Sequence, residues 1–229
     1  MPGYRTKQER ISIAGVDDLV IRSLLDRQQF ADSDGAAERL GISSAAWPLF
    51  GLLWPSGALL AARLGARPVT AGKKILEIGC GLALASLVGH RRGADVTASD
   101  RHPLTALFLA ENLRLNGLEP MKYLHGDWDA AADGAAAPAP GGFDLIVGSD
   151  LLYERDASGA LARFVSRHAK ASCEVWIVDP DRSNRPAFNR RMAVDGFVRD
   201  EERLDVAATA TGAAYKGRLL VYRRKLAPH

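Results

Sequence analysis

The chain has 229 residues, of which 47% are hydrophobic and 25% are charged. These values are ordinary for a globular protein, so they exclude a disordered or fibrous chain and predict one domain over residues 1–229 with a substantial buried core. Lysine and arginine total 30 against 27 acidic residues, a net charge of +3, and the absence of a concentrated basic block argues against nucleic acid as a partner.

Residues 1–70 predict an N-terminal extension made of a hairpin and a helix. Around Ile11, apolar residues alternate with polar ones, and after a glycine-containing turn the run 19–25 is mainly apolar. This pattern is typical of two strands joined by a turn. Pro55 suits the first turn of a helix over residues 56–64, because the amide that proline lacks needs no partner there.

Residues 71–229 predict a catalytic core in which short apolar strands alternate with longer amphipathic stretches. The predicted strands span 75–78, 95–99, 122–125, 143–148 and 174–178, and the predicted helices span 82–92, 103–116, 157–170 and 186–195. This alternation is typical of a doubly wound, mostly parallel α/β sheet covered by helices. Two later segments, 197–204 and 218–223, have the residue types of a closing antiparallel pair.

The segment that points to a cofactor is an apolar strand ending in an acid and two alternate glycines. Gly79 and Gly81 permit a tight turn and a close backbone approach to a ligand, at the strand end where doubly wound sheets bind small molecules. A dinucleotide fingerprint needs a third glycine where this chain has Leu84. Glu77 would repel a pyrophosphate but attract the sulfonium and ammonium groups of S-adenosylmethionine (SAM). SAM is therefore favoured over NAD.

The next two strand ends carry groups that suit the rest of this cofactor. Asp100 offers an acceptor for a ribose diol, although NAD enzymes use a carboxylate at the same position. Asp127 and Trp128 offer an acceptor for an adenine amino group and an aromatic surface beside its ring. Each residue also has a structural interpretation, since Trp128 can close a core edge and the glycine turn can simply join a strand to a helix.

Two longer motifs flank these residues: Leu-Trp-Pro-Ser-Gly at 53–57 and Phe-Asp-Leu-Ile-Val-Gly-Ser-Asp-Leu-Leu-Tyr-Glu at 143–154. With them, the chain resembles the family-16 group of seven-β-strand SAM-dependent methyltransferases, which contains protein lysine methyltransferases and nicotinamide N-methyltransferase-like proteins. The run 143–154 is similar to the family's Asp-x-x-Tyr signature. The resemblance covers roughly residues 42–197 and implies a seven-stranded, Rossmann-like class I fold.

The resemblance also implies roles for individual residues. The cofactor-binding set would be Trp54, Glu77, Gly79, Cys80, Gly81, Asp100, Arg101, Asp127, Trp128 and Ser149. Asp150 and Tyr153 would face the methyl acceptor, and we interpret Asp150 as orienting an amine and Tyr153 as a wall of the channel. Asp150 could instead cap the following helix. Ala83 stands where many members have a third glycine.

The acceptor is less well determined by the sequence. The stretch Val-Asp-Pro-Asp-Arg at 178–182 is similar, more weakly, to one in members that methylate electron-transfer flavoprotein, which favours a protein substrate presenting a lysine. A small nicotinamide-like amine and a catalytically silent SAM-binding partner remain open alternatives. Four arginines lie near the last predicted helix: Arg182, Arg185, Arg190 and Arg191. We interpret them as a solvated helix face in preference to a patch that recognises acidic protein surfaces.

Several other classes of site and location are not favoured. A nucleic-acid amino-methyltransferase would carry Asn or Asp followed by Pro-Pro-aromatic, where residues 149–153 read Ser-Asp-Leu-Leu-Tyr. The five histidines show no metal-ligand spacing. Two cysteines, Cys80 and Cys173, are too few for a disulfide framework. Because an apolar run of about 18 residues is also missing, we expect a cytoplasmic protein without a membrane span.

Overall fold

The computed structural model describes residues 3–126, 128, 142–153, 156, 158–208 and 214–224. The chain begins with strands β1 (Thr6–Ile13) and β2 (Val16–Leu24), helix α1 (Ala36–Arg39), a 3₁₀ helix (Trp47–Gly51) and helix α2 (Pro55–Ala66). The core follows with β3 (Lys74–Ile78), α3 (Leu84–Arg91), β4 (Asp95–Asp100), α4 (Thr105–Leu115), β5 (Lys122–His125) and β6 (Phe143–Ser149). It continues with α5 (Ala160–His168), β7 (Ala169–Asp179), α6 (Arg185–Val194), β8 (Val198–Val206) and β9 (Tyr215–Arg224).

Seven strands form one sheet in the order β5-β4-β3-β6-β7-β9-β8. Neighbouring strands from β5 to β7 are parallel, whereas β9 is antiparallel to both β7 and β8. The predicted doubly wound, mostly parallel seven-stranded sheet is therefore confirmed. The winding starts at β3, proceeds to one side, and then resumes at β6 on the other side. Sheets of this kind bind ligands at the carboxyl ends of the strands where the winding reverses.

The sheet separates two apolar layers. Ile75 of β3 belongs to the layer that contains Leu64 of α2 and Phe108 of α4. Leu76 belongs to the opposite layer, together with residues of α5 and α6 such as Phe164. The alternation follows from the two-residue repeat of a strand, and it places Glu77 on the same face as helix α3.

Three helices, α3, α4 and α5, begin two or three residues later than predicted. The loops before α3 and α5 have their own local structure. Helix α3 begins at Leu84, since Ala83 has a left-handed backbone with φ of 58°. Helix α5 begins at Ala160, where the N–H groups of its first turn donate to the Asp156 carboxylate. Strand β7 begins at Ala169, before the predicted strand, because its first residues pair with β6 ahead of a register shift.

The N-terminal hairpin is fastened to helix α4 by two asparagine side chains. Asn112 Oδ1 accepts the N–H of Arg22 at 2.8 Å, and Asn116 Oδ1 accepts the N–H of Val20 at 2.9 Å. These bonds satisfy backbone groups at an edge of the hairpin that would otherwise need another strand. None of the helices in the described ranges combines the length and apolar character that a membrane span requires.

Candidate functional site

A cavity of about 1030 Å³ opens at the carboxyl ends of β3, β4 and β6. It is lined by every predicted site residue that the structure describes: Trp54, Glu77, Gly79, Cys80, Gly81, Asp100, Arg101, Trp128, Ser149, Asp150 and Tyr153. Asp127 lies outside the described residues, so its role stays a prediction. The sheet topology thus brings together in one cavity residues that are far apart in the sequence.

The turn after β3 requires glycine at two positions. Gly79 and Gly81 have φ of 55° and 51°, in the left-handed region that glycine adopts without steric cost. A Cβ atom on Gly81 would lie 2.8 Å from the carbonyl oxygen of Phe50, and one on Gly79 would lie 2.5 Å from a methyl carbon of Leu151. The turn therefore leaves exposed backbone in the cavity at a point where any larger residue would collide with its neighbours.

Glu77 is a buried acid that faces the first turn of helix α3. Its Oε2 atom accepts hydrogen bonds from the Ser86 N–H at 2.7 Å and from the Ser86 hydroxyl at 2.5 Å. Burial raises the pKa of Glu77 to about 7, and the nearby charge of Asp100 adds to this, while the two bonds from Ser86 oppose it. A cationic group beside Glu77 would favour its charged form, so the site fits an ammonium or a sulfonium.

Asp100 connects the ends of β3 and β4. Its Oδ2 atom accepts the N–H of Gly81 at 2.9 Å, and its Oδ1 atom accepts the N–H of His102 at 2.8 Å. Burial raises the pKa of Asp100, although these two N–H groups and the charge of Arg101 oppose the rise. Each carboxylate oxygen retains further acceptor capacity. Asp100 therefore holds the glycine turn and can still accept a hydroxyl from a ligand.

Aromatic rings form the walls on either side of the turn. Trp54 donates from Nε1 to the carbonyl oxygen of Leu49 at 2.9 Å, which fixes its ring at the cavity edge. On the other side, Trp128 packs so closely to the turn that a Cβ on Gly79 would lie 3.5 Å from its ring carbon Cζ2. Both rings thus border the cavity, and their contact with a cofactor stays a prediction.

Three further predicted residues, Ser149, Arg101 and Cys80, also line the cavity. Ser149, at the end of β6, faces helix α2, where a Cβ on Gly57 would lie 3.7 Å from its hydroxyl. Arg101 follows β4 and acts on Asp100 through its charge. Burial raises the pKa of the Cys80 thiol, so Cys80 stays an uncharged thiol at neutral pH and contributes chiefly through its backbone.

His102 belongs to the cavity wall but was not predicted as a site residue. Its ring stacks on Phe50 with centroids 3.7 Å apart and an interplanar angle of 12°. Burial lowers the pKa of His102 to about 3, so the ring is neutral. Within the described ranges its Nε2 atom has no hydrogen-bond partner. The sequence showed that Arg101 and His102 follow a predicted strand. It did not show that His102 stacks on Phe50, because the two residues are far apart in the chain.

The same cavity is lined by the two residues predicted to face the acceptor. Asp150 has a left-handed backbone with φ of 56°, and its N–H donates to the carbonyl oxygen of Val178 at 3.0 Å. Tyr153 is 42% exposed at the cavity mouth. The alternative that Asp150 caps the next helix is wrong, because Asp156 accepts the N–H groups at the start of α5.

The structure corrects the interpretation of the arginines near helix α6, because Arg182, Arg190 and Arg191 all line the cavity. Arg182 was expected on a solvated helix face, but it precedes helix α6 and lines the cavity. Its Nη2 atom donates to Asp150 Oδ1 at 2.8 Å. Sequence patterning could not identify this contact, because the two residues lie on loops that follow different strands. In the described part of the chain, no group of three or more potential ligands is arranged for a metal ion.

Comparisons with known proteins agree with this geometry. A family model described as lysine methyltransferase matches residues 50–189. The electron transfer flavoprotein beta subunit lysine methyltransferase of Danio rerio is 29% identical over 150 residues, covering 64% of this chain and 55% of the relative. The histidine protein methyltransferase 1 homolog of Dictyostelium discoideum is 30% identical over 109 residues, covering 46% of this chain and 34% of the relative. The chain spans about half the length of the electron transfer flavoprotein beta subunit lysine methyltransferases that it matches.

Solved structures share the fold at low sequence identity. TYW2 from P. horikoshii, solved in complex with MeSAdo, matches with a TM-score of 0.58 and 16% identity, over 95% of this chain and 72% of that one. Magnesium protoporphyrin IX methyltransferase (ChlM) from Synechocystis PCC 6803, solved with bound SAM, matches with a TM-score of 0.52 and 17% identity, over 74% of this chain and 76% of that one.

Proposed function

Because the chain belongs to the lysine methyltransferase family, we propose that it transfers a methyl group from SAM to the side-chain amine of a lysine in a protein substrate. Membership confirms both the family resemblance and SAM as the cofactor expected from the glycine turn. The observation that carries the proposal is that one cavity is lined both by the glycine turn with Glu77 and by Asp150 with Tyr153. A donor and an acceptor could meet between them.

The cofactor end is assigned by charge and by close approach. When bound, SAM supplies a methyl carbon that is activated by its positively charged sulfur. Glu77 would attract the ammonium of the amino acid moiety, and the bare backbone of Gly79 and Gly81 would let it approach. Asp100 would accept a ribose hydroxyl beside Trp54 and Trp128, whose rings would exclude water from the cofactor.

The acceptor end would position a lysine side chain. Aligning an amine with a methyl carbon makes the reaction effectively unimolecular, which can contribute up to roughly 7–11 kcal/mol to catalysis. Asp150 would orient the amine through a hydrogen bond, and Tyr153 would form one wall of the channel at the mouth of the cavity. A free lysine has a pKa near ~10.4, so the site must also favour the neutral amine.

The substrate class and compartment form the less direct part of the proposal. The β subunit of electron transfer flavoprotein is our first candidate, since flavoprotein-specific enzymes are among the relatives. The histidine-specific relative makes the modified residue type a question for experiment. A reducing compartment such as the cytoplasm is supported by two buried cysteines, Cys80 and Cys173, that are both unpaired.

The direct test is methylation with SAM carrying a tritiated methyl group. Purified electron transfer flavoprotein β subunit, and in parallel a whole-cell lysate, would be incubated with the wild-type chain, Asp150→Asn and a control variant, Asp200→Asn. Asp200 is an exposed acid on β8, away from the cavity. We expect label on lysine in a protein fraction, at least a ~10-fold loss in Asp150→Asn and an unchanged rate in Asp200→Asn.

Other outcomes would identify a different function. Label that appears only in the metabolite fraction would contradict a protein acceptor and favour a small amine. Label on histidine, identified by mass spectrometry, would contradict the lysine assignment. If SAM binds in calorimetry but neither fraction is labelled, the chain would be a SAM-binding partner protein without turnover.

A further inference from the structure

Arg182 forms an ion pair with the carboxylate that is assigned to the acceptor. Its Nη2 atom lies 2.8 Å from Asp150 Oδ1, and the side chains of Arg182 and Asp150 are 32% and 14% exposed. The centre of the guanidinium lies 6.0 Å from the centroid of the Tyr153 ring. All three residues line the same cavity as the glycine turn. The pair therefore lies where an acceptor amine would enter.

The backbone holds both members of the pair in place. The Arg182 N–H donates to Asp179 Oδ1 at 2.8 Å, and Asp179 is fully buried at the end of β7. The Asp150 N–H donates to the carbonyl oxygen of Val178, on the same strand end. The loop after β6 and the loop after β7 are therefore both hydrogen-bonded to the end of β7. These bonds fix the backbone of both residues, so that the Arg182 guanidinium faces the Asp150 carboxylate.

We propose that Arg182 is a positioning residue that keeps the acceptor amine uncharged. The proposal rests on the proposed function, because it assumes a lysine acceptor. An entering ammonium meets a carboxylate that a guanidinium already balances, and a fixed positive charge within a few ångströms favours the neutral amine. A bare Asp150 carboxylate would do the opposite and would stabilise the ammonium as an ion pair.

The proton must leave before methyl transfer, because only the neutral amine has a free lone pair. The ammonium releases its proton to solvent at the open mouth beside Tyr153. The nitrogen lone pair then forms the N–C bond to the methyl carbon, while the C–S bond breaks and its electron pair stays on sulfur. The methylated nitrogen is again an ammonium and loses its proton to solvent. Arg182 takes part in none of these bonds and acts through the charge that it places beside Asp150.

The other charged and titratable groups around the pair do not replace this charge. They are Asp179, Asp181 with its partners Arg185, Arg203 and Arg218, the Asp156–Arg191 pair, the exposed Arg190 of helix α6, Tyr153 and Tyr215. Asp181 and Asp156 each have arginine partners of their own. Burial raises the pKa of Tyr215 to about 12, so its hydroxyl stays neutral at pH values below that. Removing the guanidinium would leave Asp150 without its cation.

The first test is the pH profile of kcat, measured from about pH 7 to about pH 10 with the electron transfer flavoprotein β subunit as acceptor. For Arg182→Gln we expect kcat to fall about 10-fold near neutral pH and to approach the wild-type value at high pH, with the midpoint moved up by about one pH unit. Arg182→Lys keeps the charge and should keep the midpoint. An equal loss at every pH would mean that Arg182 only orients Asp150, and would overturn the proposal.

A control variant separates this effect from a general change of surface charge. Arg167→Gln removes a positive charge from the last turn of helix α5, at a residue that does not line the cavity. Arg167 forms no ion pair with any residue that the structure describes. Its pH profile should match that of the wild type. Equal binding of S-adenosylhomocysteine by all variants, measured by calorimetry, would verify that each has folded.

A binding measurement tests the proposal without turnover. Nα-acetyl-lysine amide would be titrated near neutral pH into the S-adenosylhomocysteine complexes of the wild type and Arg182→Gln, with the Nε-acetylated analogue as the uncharged control. We expect the ammonium to bind Arg182→Gln several-fold more tightly and the control to bind both alike. Equal or weaker binding of the ammonium would overturn the proposal. A wild type that methylates no protein would contradict the proposed function instead, while leaving this difference measurable.

Discussion

The Asp100 carboxylate accepts the backbone N–H of Gly81 at 2.9 Å, and this bond joins the end of β4 to the turn after β3. A residue expected to serve a ribose therefore also shapes the loop that would hold the amino acid end of the cofactor. The two halves of the proposed cofactor site are coupled through one side chain, and changes at either strand end should affect both.

Replacing Asp100 should weaken the cofactor site and the fold together. In Asp100→Asn, an NH₂ group would replace one of the two carboxylate oxygens. It would face either the Gly81 N–H or the His102 N–H, and that backbone donor would lose its acceptor. Leaving such a buried donor unpaired costs about 1–3 kcal/mol. We expect a lower melting temperature and at least a ~10-fold weaker SAM affinity by calorimetry. Asp95→Asn, at the exposed other end of β4, is the control, and equal losses in both variants would contradict the coupling.

Adding a methyl group to the glycine turn should abolish tight cofactor binding. In Gly81→Ala the new Cβ would press on the Phe50 carbonyl oxygen in a left-handed backbone, which we expect to cost about 1–3 kcal/mol of stability. Gly93 is also left-handed, with φ of 82°, but has open space around it. Gly93→Ala should therefore lose some stability and keep its SAM affinity. Unchanged SAM affinity in Gly81→Ala would show that the turn is not the cofactor cradle.

The pH dependence of stability should reveal Glu77 in the protein without cofactor. Burial raises its folded pKa to about 7 from an ordinary value of 4.5. The carboxyl therefore contributes stability that is fully present below pH 4.5 and is lost as the pH rises through about 7. We expect the melting temperature of the wild type to fall relative to Glu77→Gln across this window. A constant difference between the two would contradict the raised pKa.

Asp156 should behave as a helix cap, in contrast to Asp150. Burial raises its pKa, but hydrogen bonds from the N–H groups of Ala160, Leu161 and Gly159 bring it below the ordinary value. Asp156→Ala should lose about 0.5–2 kcal/mol in urea unfolding, and the loss should shrink as the pH falls through the range where the carboxyl is protonated. Ser158→Ala, which removes two weaker bonds, one from the Ala160 N–H and one to Asp156 Oδ1, should cost less. A larger loss in Ser158→Ala would exclude the cap.

The fold and the glycine turn could be predicted because their signals are local. The strands β3 to β6 follow from short apolar runs, and the turn follows from Gly79 and Gly81 beside Glu77, all within five positions. The positions of the other strand ends followed from the general rule that parallel strands end at one edge of a sheet. Helix starts were less well predicted, since the left-handed Ala83 gives no pattern of its own.

The sequence by itself therefore determined the doubly wound sheet, the glycine turn and the set of strand-end residues, because each depends on periodicity and on residues adjacent in the chain. Only the tertiary structure decided which of these residues contact one another. Asp100 and Gly81 are 19 positions apart, and Asp150 and Arg182 are 32 apart. Such contacts depend on how crossover helices bring separate strand ends together and on the side-chain rotamers that packing selects, and neither is encoded in a local pattern.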